Sequence, residues 1–312
     1  MQAPIAPERI DTDRIDADAL GADPVAAQPP RASSVQSESV DTQGDSRAWI
    51  ASLAAIAGDD RWLAAELVAR GAQIGQQVMA EGDVGSRAKT SVSDVVTIAD
   101  HRAEADILAA LTTLRPDDGV LGEEGAARPS RTGRTWIVDP IDGTYNYAHR
   151  ISAWCSAIAL CDDARQPLLG AIRSGVRPHT WVGVPAAGEL TLDGIPQPAL
   201  TATHLGAVSV ATYLHPARMS DVDCVRPWLA AVQGAATIRM LGSGSLDLVD
   251  VATGRVGAFL QSGTADWDWC PGLALVTAAG GIGRIVHHRG QRWHIAGSAP
   301  VVEELAERLL GA

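Results

Sequence analysis

The stretch TWIVDPIDGTYNYAHR, residues 135–150, runs Trp136, Ile137 and Val138 straight into two aspartates three positions apart. Pro140 stands between Asp139 and Asp142, and Gly143 and Thr144 follow them. A core strand gains nothing from carboxylates at its tip. Two negative charges held that close repel each other unless a positive charge sits between them. Pro140 disfavours helix at Asp139 and contributes no N–H, so the reading is a strand that leaves into an irregular loop. In that loop the Ile141 carbonyl can turn toward the same space as the two carboxylates. An all-oxygen set of this kind suits a hard divalent cation such as Mg²⁺. Gly143 permits close backbone approach, and the N–H groups of Gly143 and Thr144 can face an anion if a helical turn begins there. An isolated D-x-x-D is equally compatible with an acidic turn, so the wider sequence has to decide.

Four further segments do so. LGEEG at 121–125 carries Glu123, and KTSVSDVVTIADHRAEADI at 89–107 carries Lys89 and Asp100. RMLGSGSLDLVDVATGR at 239–255 carries Gly242, Ser243 and Gly244, and DWDWCPGLALVTAAGG at 266–281 carries Asp268. Each alone has a plain reading. Glu123 and Glu124 suit a solvated glycine turn, Asp100 and Glu104 a solvated helix face, GSGS a simple turn, and Trp267-Asp268 a helix cap. Together with WIVDPIDGT, and in this order, the segments resemble the signatures of the inositol monophosphatase family, the Mg²⁺-dependent, lithium-sensitive phosphomonoesterases.

The resemblance implies an α+β and α/β chain folded as a layered α/β/α/β/α sandwich, of the inositol monophosphatase and fructose-1,6-bisphosphatase type. It implies a first Mg²⁺ held by Glu123, Asp139 and the Ile141 carbonyl. A second would be held by Asp139, Asp142 and Asp268, and a third, weaker ion would sit near Glu123. Such ions neutralise phosphoryl oxygens and lower the pKa of a bound water from about 15.7 toward 7. By the same resemblance Thr144 and Asp100, with Glu123, serve catalysis by orienting the attacking water. Asp142, Gly143, Thr144, Gly242, Ser243, Gly244, Gln261 and Asp268 contact substrate.

Several positions depart from the family pattern. Family members that act on inositol phosphate carry a glutamate seven residues before the last aspartate ligand, and here that position is Gln261. An amide both donates and accepts, so it can still bind hydroxyls without the charge. Gly244 replaces a common alanine, TYNY at 144–147 a common T-T-N-F, and Val92 a frequent proline. Three functions therefore stand: an inositol 1-phosphate or similar polyol phosphatase; a phosphatase for histidinol phosphate, a nucleotide 3'-phosphate or a sugar phosphate; and a metal-binding scaffold without activity.

Composition sets the surroundings. The chain has 312 residues and a formal net charge of −12, which argues against general nucleic-acid or anionic-membrane partners. Residues 1–46 hold nine acids against three arginines and no aromatic residue, and read as a disordered acidic tail. Two subdomains follow, 47–195 with most of the metal ligands and 196–312 with Asp268 and the substrate loop. Leu63, Leu67, Ile74 and Val78 mark one face of a helix that Gly82 and Gly85 end, and a second helix runs from about Ala99 to before Pro116. The four cysteines form no zinc spacing and read as buried thiols of a reducing cytoplasm. No apolar run is long enough to span a bilayer and no secretory leader is evident. The small phosphorylated substrate is the expected partner, with a homodimer possible from the resemblance.

If the ligand set is right, Asp139→Asn should lower phosphate release at saturating Mg²⁺ by about 100-fold or more, and Glu124→Gln by less than about threefold. Equal small losses in the two variants would refute it.

Overall fold

The computed structural model describes residues 42–54, 58–82, 85, 87–88 and 95–312. Helix α1 (Thr42–Leu53) opens the fold, and the amphipathic α2 (Asp60–Glu81) begins at Asp59, whose carboxylate caps Arg61 N. A short ribbon, β1 (Arg87–Ala88) with β2 (Val95–Val96), leads to α3 (Ile98–Leu114). Helix α3 starts on a capping box between Thr97 and Asp100 and stops before Pro116, as the sequence predicts.

The first large sheet follows: β3 (Gly119–Gly122), β4 (Ala127–Arg128), β5 (Arg134–Asp142), β6 (Cys155–Asp162), β7 (Pro167–Ser174), β8 (Thr180–Val184), β9 (Glu189–Leu192) and β10 (Ile195–Pro196), with α4 (Thr144–Ala148) between β5 and β6. Its strand order is β10-β9-β8-β7-β6-β5-β3-β4, antiparallel except for the β3–β5 pair. The second sheet contains β11 (Ser209–Tyr213), β12 (Thr237–Arg239), β13 (Ala258–Ser262), β14 (Ile282–His288) and β15 (Gln291–Gly297), in the order β12-β11-β13-β15-β14. Around it run α5 (Val222–Val232), α6 (Gly244–Ala252), α7 (Asp266–Ala278) and α8 (Ala299–Leu310).

Alternation along the strands assigns the layers. On β5, Trp136 and Val138 pack with Leu63 and Leu67 of α2 and Ile107 and Leu111 of α3. Ile137 points the other way, into a cluster with Leu248 of α6 and Trp269 and Leu275 of α7. The far face of the second sheet, through Val210, Leu260 and Ile295, packs on Val301 and Leu305 of α8. The order is thus α1–α3, first sheet, α6 and α7, second sheet, α5 and α8: the layered α/β/α/β/α sandwich. Helix α7 sits unusually close to the first sheet, because Gly170 offers no side chain. A Cβ there would lie 2.4 Å from the Pro271 carbonyl oxygen.

Three expectations change. The proposed tail boundary moves, since α1 already begins at Thr42. Asp45 and Ser46 are held there, Asp45 by Arg70 at 2.7 Å and Ser46 by a 2.8 Å hydrogen bond to Asp106. Residues 1–41, Lys89 and Val92 lie outside the described residues. The chain does not leave β5 in a loop at Pro140: pairing with β6 resumes at Asp142 after a bulge. GSGS is not only a turn, because Gly244 and Ser245 open α6.

The second sheet also buries a titratable group. His294 on β15 is fully buried, edge-on to the Trp269 ring at 5.0 Å. Burial, with the nearby charges of Arg292 and His287, lowers its pKa from 6.5 to about 4. Between those values the unfolded chain binds a proton here that the native fold excludes, so stability falls as pH falls through that window. Denaturant unfolding of wild type and His294→Gln at pH 7 and pH 4 should show the wild type losing about 3 kcal/mol more than the variant. Parallel pH profiles would refute this.

Candidate metal centre and active site

The bulge in β5 creates the site. Asp139 pairs with Ala157 and Asp142 with Cys155, so three steps on β5 match two on β6. One extra residue reverses the alternation between the two aspartates. Ala157 and Cys155 both face the layer of α6 and α7, so Asp139 and Asp142 face it too, while Ile141 turns to the opposite face beside Tyr147 and Trp154. Pro140, which has no N–H to place in the ladder, occupies the bulge.

Helix α7 brings Asp268 to the same place. Asp139, Asp142 and Asp268 each present an oxygen within 4.8 Å of the others. They sit in a cleft of about 660 Å³, also lined by Glu123, Gly143, Thr144, Gly242, Ser243, Gly244 and Gln261. Glu123 faces the cleft from the turn after β3, outside that tightest group. Asp268 stands in the first turn of α7, where a helix N-terminus favours a carboxylate, but the N-cap itself is Ala265.

Asp139 is fully buried, and neither carboxylate oxygen has a hydrogen-bond partner among the described residues. Burial, then the charges of Glu123, Asp142, Asp268 and Asp100, push its carboxyl well above the usual range. Asp142 differs. Its Oδ2 accepts from Ser243 Oγ at 2.8 Å and Ser245 N at 2.6 Å, and from the Cys155 thiol at 3.7 Å. Burial raises the Asp142 pKa while these bonds oppose the rise. Ser243 thus grips Asp142, where the sequence assigns it to substrate.

Thr144 begins α4, and its hydroxyl lies 3.0 Å from the Ile141 carbonyl oxygen and 3.3 Å from Asp100 Oδ1. Asp100 and the Ile141 side chain are buried behind the cleft, and Asp100 reaches it through Thr144. Asp100 Oδ2 takes both the N–H and the hydroxyl of Thr97. Burial outweighs those bonds and raises the Asp100 pKa to about 7. Gly143 must be glycine: its φ is 83°, and a Cβ would meet the Ala153 carbonyl oxygen at 2.8 Å. Gly244 is freer, since a Cβ there would make only ordinary contacts with Asp268 at 3.6 and 3.8 Å. The departure from alanine at this position therefore leaves the site's shape intact.

Several residues of the site escape the sequence reading. Glu104 is no solvated face residue. It is buried, and its carboxylate accepts from Glu124 N and Ala126 N, both at 2.9 Å, fixing the turn that carries Glu123. Its place one turn after Asp100 on α3 was the available signal. Asn146 donates to the Ala153 and Leu241 carbonyls, both at 2.8 Å, and ties α4 to the loop before α6. Tyr145, Tyr213 and His215 form an aromatic side of the cleft, and Asp247 lines it from α6.

An anionic cleft with three converging carboxylates, one of them without a hydrogen-bond partner among the described residues, fits a divalent cation in charge and donor type. Comparison with known proteins agrees with this fold. The sequence profile of the inositol monophosphatase family matches residues 51–311. An inositol-1-monophosphatase of Synechocystis sp. is 31% identical over 209 residues, covering 66% of this chain and 69% of that protein. A Nus factor SuhB of Pseudomonas aeruginosa is 32% identical over 218 residues, covering 64% of this chain and 75% of that one. The solved structure of an inositol monophosphatase from Anabaena (Nostoc) sp. shares the fold, with a TM-score of 0.69 at 24% identity, over 81% of this chain and 95% of that chain. With the family profile spanning almost all of the described fold, this chain belongs to the inositol monophosphatase family, whose members are phosphoric monoester hydrolases.

Proposed function

We propose that the protein is a Mg²⁺-dependent phosphomonoesterase that releases phosphate from a small polyol phosphate such as inositol 1-phosphate. The observation that carries this reading is Asp139: a fully buried carboxylate with no donor, facing two others across 4.8 Å or less. Such a group either takes up a proton or holds a cation beside it, and the neighbouring carboxylates favour the cation. Asp139, Asp142, Asp268 and Glu123, with the Ile141 carbonyl, are the groups that would hold two or three Mg²⁺. When bound, such ions neutralise phosphoryl oxygens and acidify water.

The remaining work falls to the chain itself. Ser243 and Ser245 fix one oxygen of Asp142, leaving its other oxygen directed by the bulge. The Thr144 hydroxyl stands between the cleft and Asp100, so it can donate to Asp100 Oδ1 while accepting from a water in the cleft. As water attacks phosphorus, its proton passes to Thr144 Oγ1 and the threonine proton passes to Asp100 Oδ1. The P–O ester bond breaks, and the departing alkoxide takes a proton from solvent. A carboxyl near pH 7 in its titration suits that relay. The N–H groups of Gly143 and Thr144, at the start of α4, would grip a phosphate oxygen.

A second reading rests on the cleft wall. Gln261 is neutral, and Tyr145, Tyr213 and His215 offer ring surface that a nucleotide or histidinol phosphate would use. Phosphate release from myo-inositol 1-phosphate, histidinol phosphate and adenosine 3',5'-bisphosphate, with and without Mg²⁺ and Li⁺, separates the two. The first reading expects inositol 1-phosphate to be turned over fastest, only with Mg²⁺, and with inhibition by Li⁺. Inactivity on every ester with Mg²⁺ present would leave a metal-binding scaffold instead.

Metal binding has its own readout. Mg²⁺ at 100 times its dissociation constant should stabilise the fold by about 2.7 kcal/mol. Thermal melts in EDTA and in Mg²⁺ should differ for wild type, and Asp139→Asn should lose most of that difference. Identical wild-type melts would overturn the metal assignment.

A further inference from the structure

Helix α3 carries two buried acids one turn apart, and each reaches a different wall of the cleft. Asp100 meets Thr144. Glu104, 7% exposed, commits both carboxylate oxygens to one turn: Oε2 accepts from Glu124 N and Oε1 from Ala126 N, both at 2.9 Å. The same turn is closed by Gly122 N to the Ala126 carbonyl at 2.7 Å, and Glu123 N moors it to the Val138 carbonyl of β5 at 3.1 Å, beside Asp139. Gly122 leaves the room for this, because a Cβ there would collide with Glu104 Oε2. Glu124 and Ala126 are part-exposed, so water alone can satisfy their N–H groups. What the buried acid adds is a fixed position. A carboxylate is required for it, since a glutamine amide would aim its own N–H groups at one of the two donors.

We propose that Glu104 is a positioning residue: acting through the backbone of residues 124 and 126, it holds Glu123 toward the cleft, where that side chain joins Asp139 in binding a divalent cation. The proposal rests on the metal-dependent phosphomonoesterase reading. Asp139 and Asp142 are placed by the bulge of β5, and Asp268 by α7. Glu123 comes from a surface turn and stands outside the tight group of those three. It is the acid of the set that regular structure fixes least, and Glu104 supplies the missing restraint. A turn ordered before the ion arrives leaves less conformational entropy to lose on binding. Loosening it keeps every metal-binding group in the chain but moves the ordering cost to the binding step. Cation affinity therefore falls, while the fully loaded centre works as before.

Thermal melts across a Mg²⁺ titration read this binding without turnover, and phosphate release from the ester that wild type hydrolyses fastest gives kcat and KM. Glu104→Gln should raise the half-saturating Mg²⁺ concentration by about 10-fold or more, while kcat at saturating Mg²⁺ and KM for the ester stay within about threefold of wild type. Gly122→Ala displaces Glu104 by contact and changes no acid. It should raise the Mg²⁺ midpoint likewise, and it serves if the glutamine variant fails to fold. The double variant should add little to either, because both break the same tie. Ile107→Val, a change in the dry cluster three residues further along α3, is the structural control: it should lower the melting temperature and leave the Mg²⁺ midpoint in place. A wild-type midpoint in Glu104→Gln and Gly122→Ala, an equal shift in Ile107→Val, or a kcat that stays low at saturating Mg²⁺ would overturn the proposal. Wild-type melts that do not respond to Mg²⁺ would instead show that the underlying metal reading fails, and the proposal with it.

Discussion

Repulsion between closely set carboxylates, two of them buried, is the constraint around which the rest of the chain is arranged. Among the described residues Asp139 has no hydrogen-bond donor, and it sits within range of four other acids, a placement whose cost a bound cation would offset. The surrounding structure supplies what keeps the acids there. One bulge turns Asp142 onto the face of Asp139, two donors from α6 fasten it, and α7 carries Asp268 across from the other half of the chain.

Leu63, Leu67, Ile107 and Leu111 against Trp136 and Val138 make a dry cluster on the outer face of the first sheet, well away from the acids. The inner face uses smaller groups, Ala157 and Ala159 among them, beneath α7. That thin contact, with Gly170 against the Pro271 carbonyl, sets the height at which the first turn of α7 meets the end of β5. Larger side chains at these positions would lift Asp268 away from its neighbours.

Much of this was legible in the residue string, and the exceptions have physical causes. The strand before Asp139, the helical start at Thr144 and the end of α3 before Pro116 are local features, and local patterns revealed them. The bulge was read as a loop because Pro140 signals a broken ladder either way, and only the partner strand shows that pairing resumes. Glu104 looked like an ordinary helix acid because burial depends on what packs against it from distant sequence. The tail boundary was set five residues late because composition does not show that Asp45 and Ser46 find partners on α2 and α3. Gln261 and Gly244 were noticed as departures, and the structure places both on the cleft without disturbing the carboxylates.

The long separation between β5 and α7 bears on how the protein is made. A nascent chain that has emerged only as far as β10 already contains every strand of the first sheet. It lacks both helices that cover the sheet's inner face, so Ile137, Ala157 and Ile172 stay wet until α6 and α7 leave the ribosome. Catalytic competence is therefore acquired late in synthesis, and the half-made product is the form most exposed to aggregation.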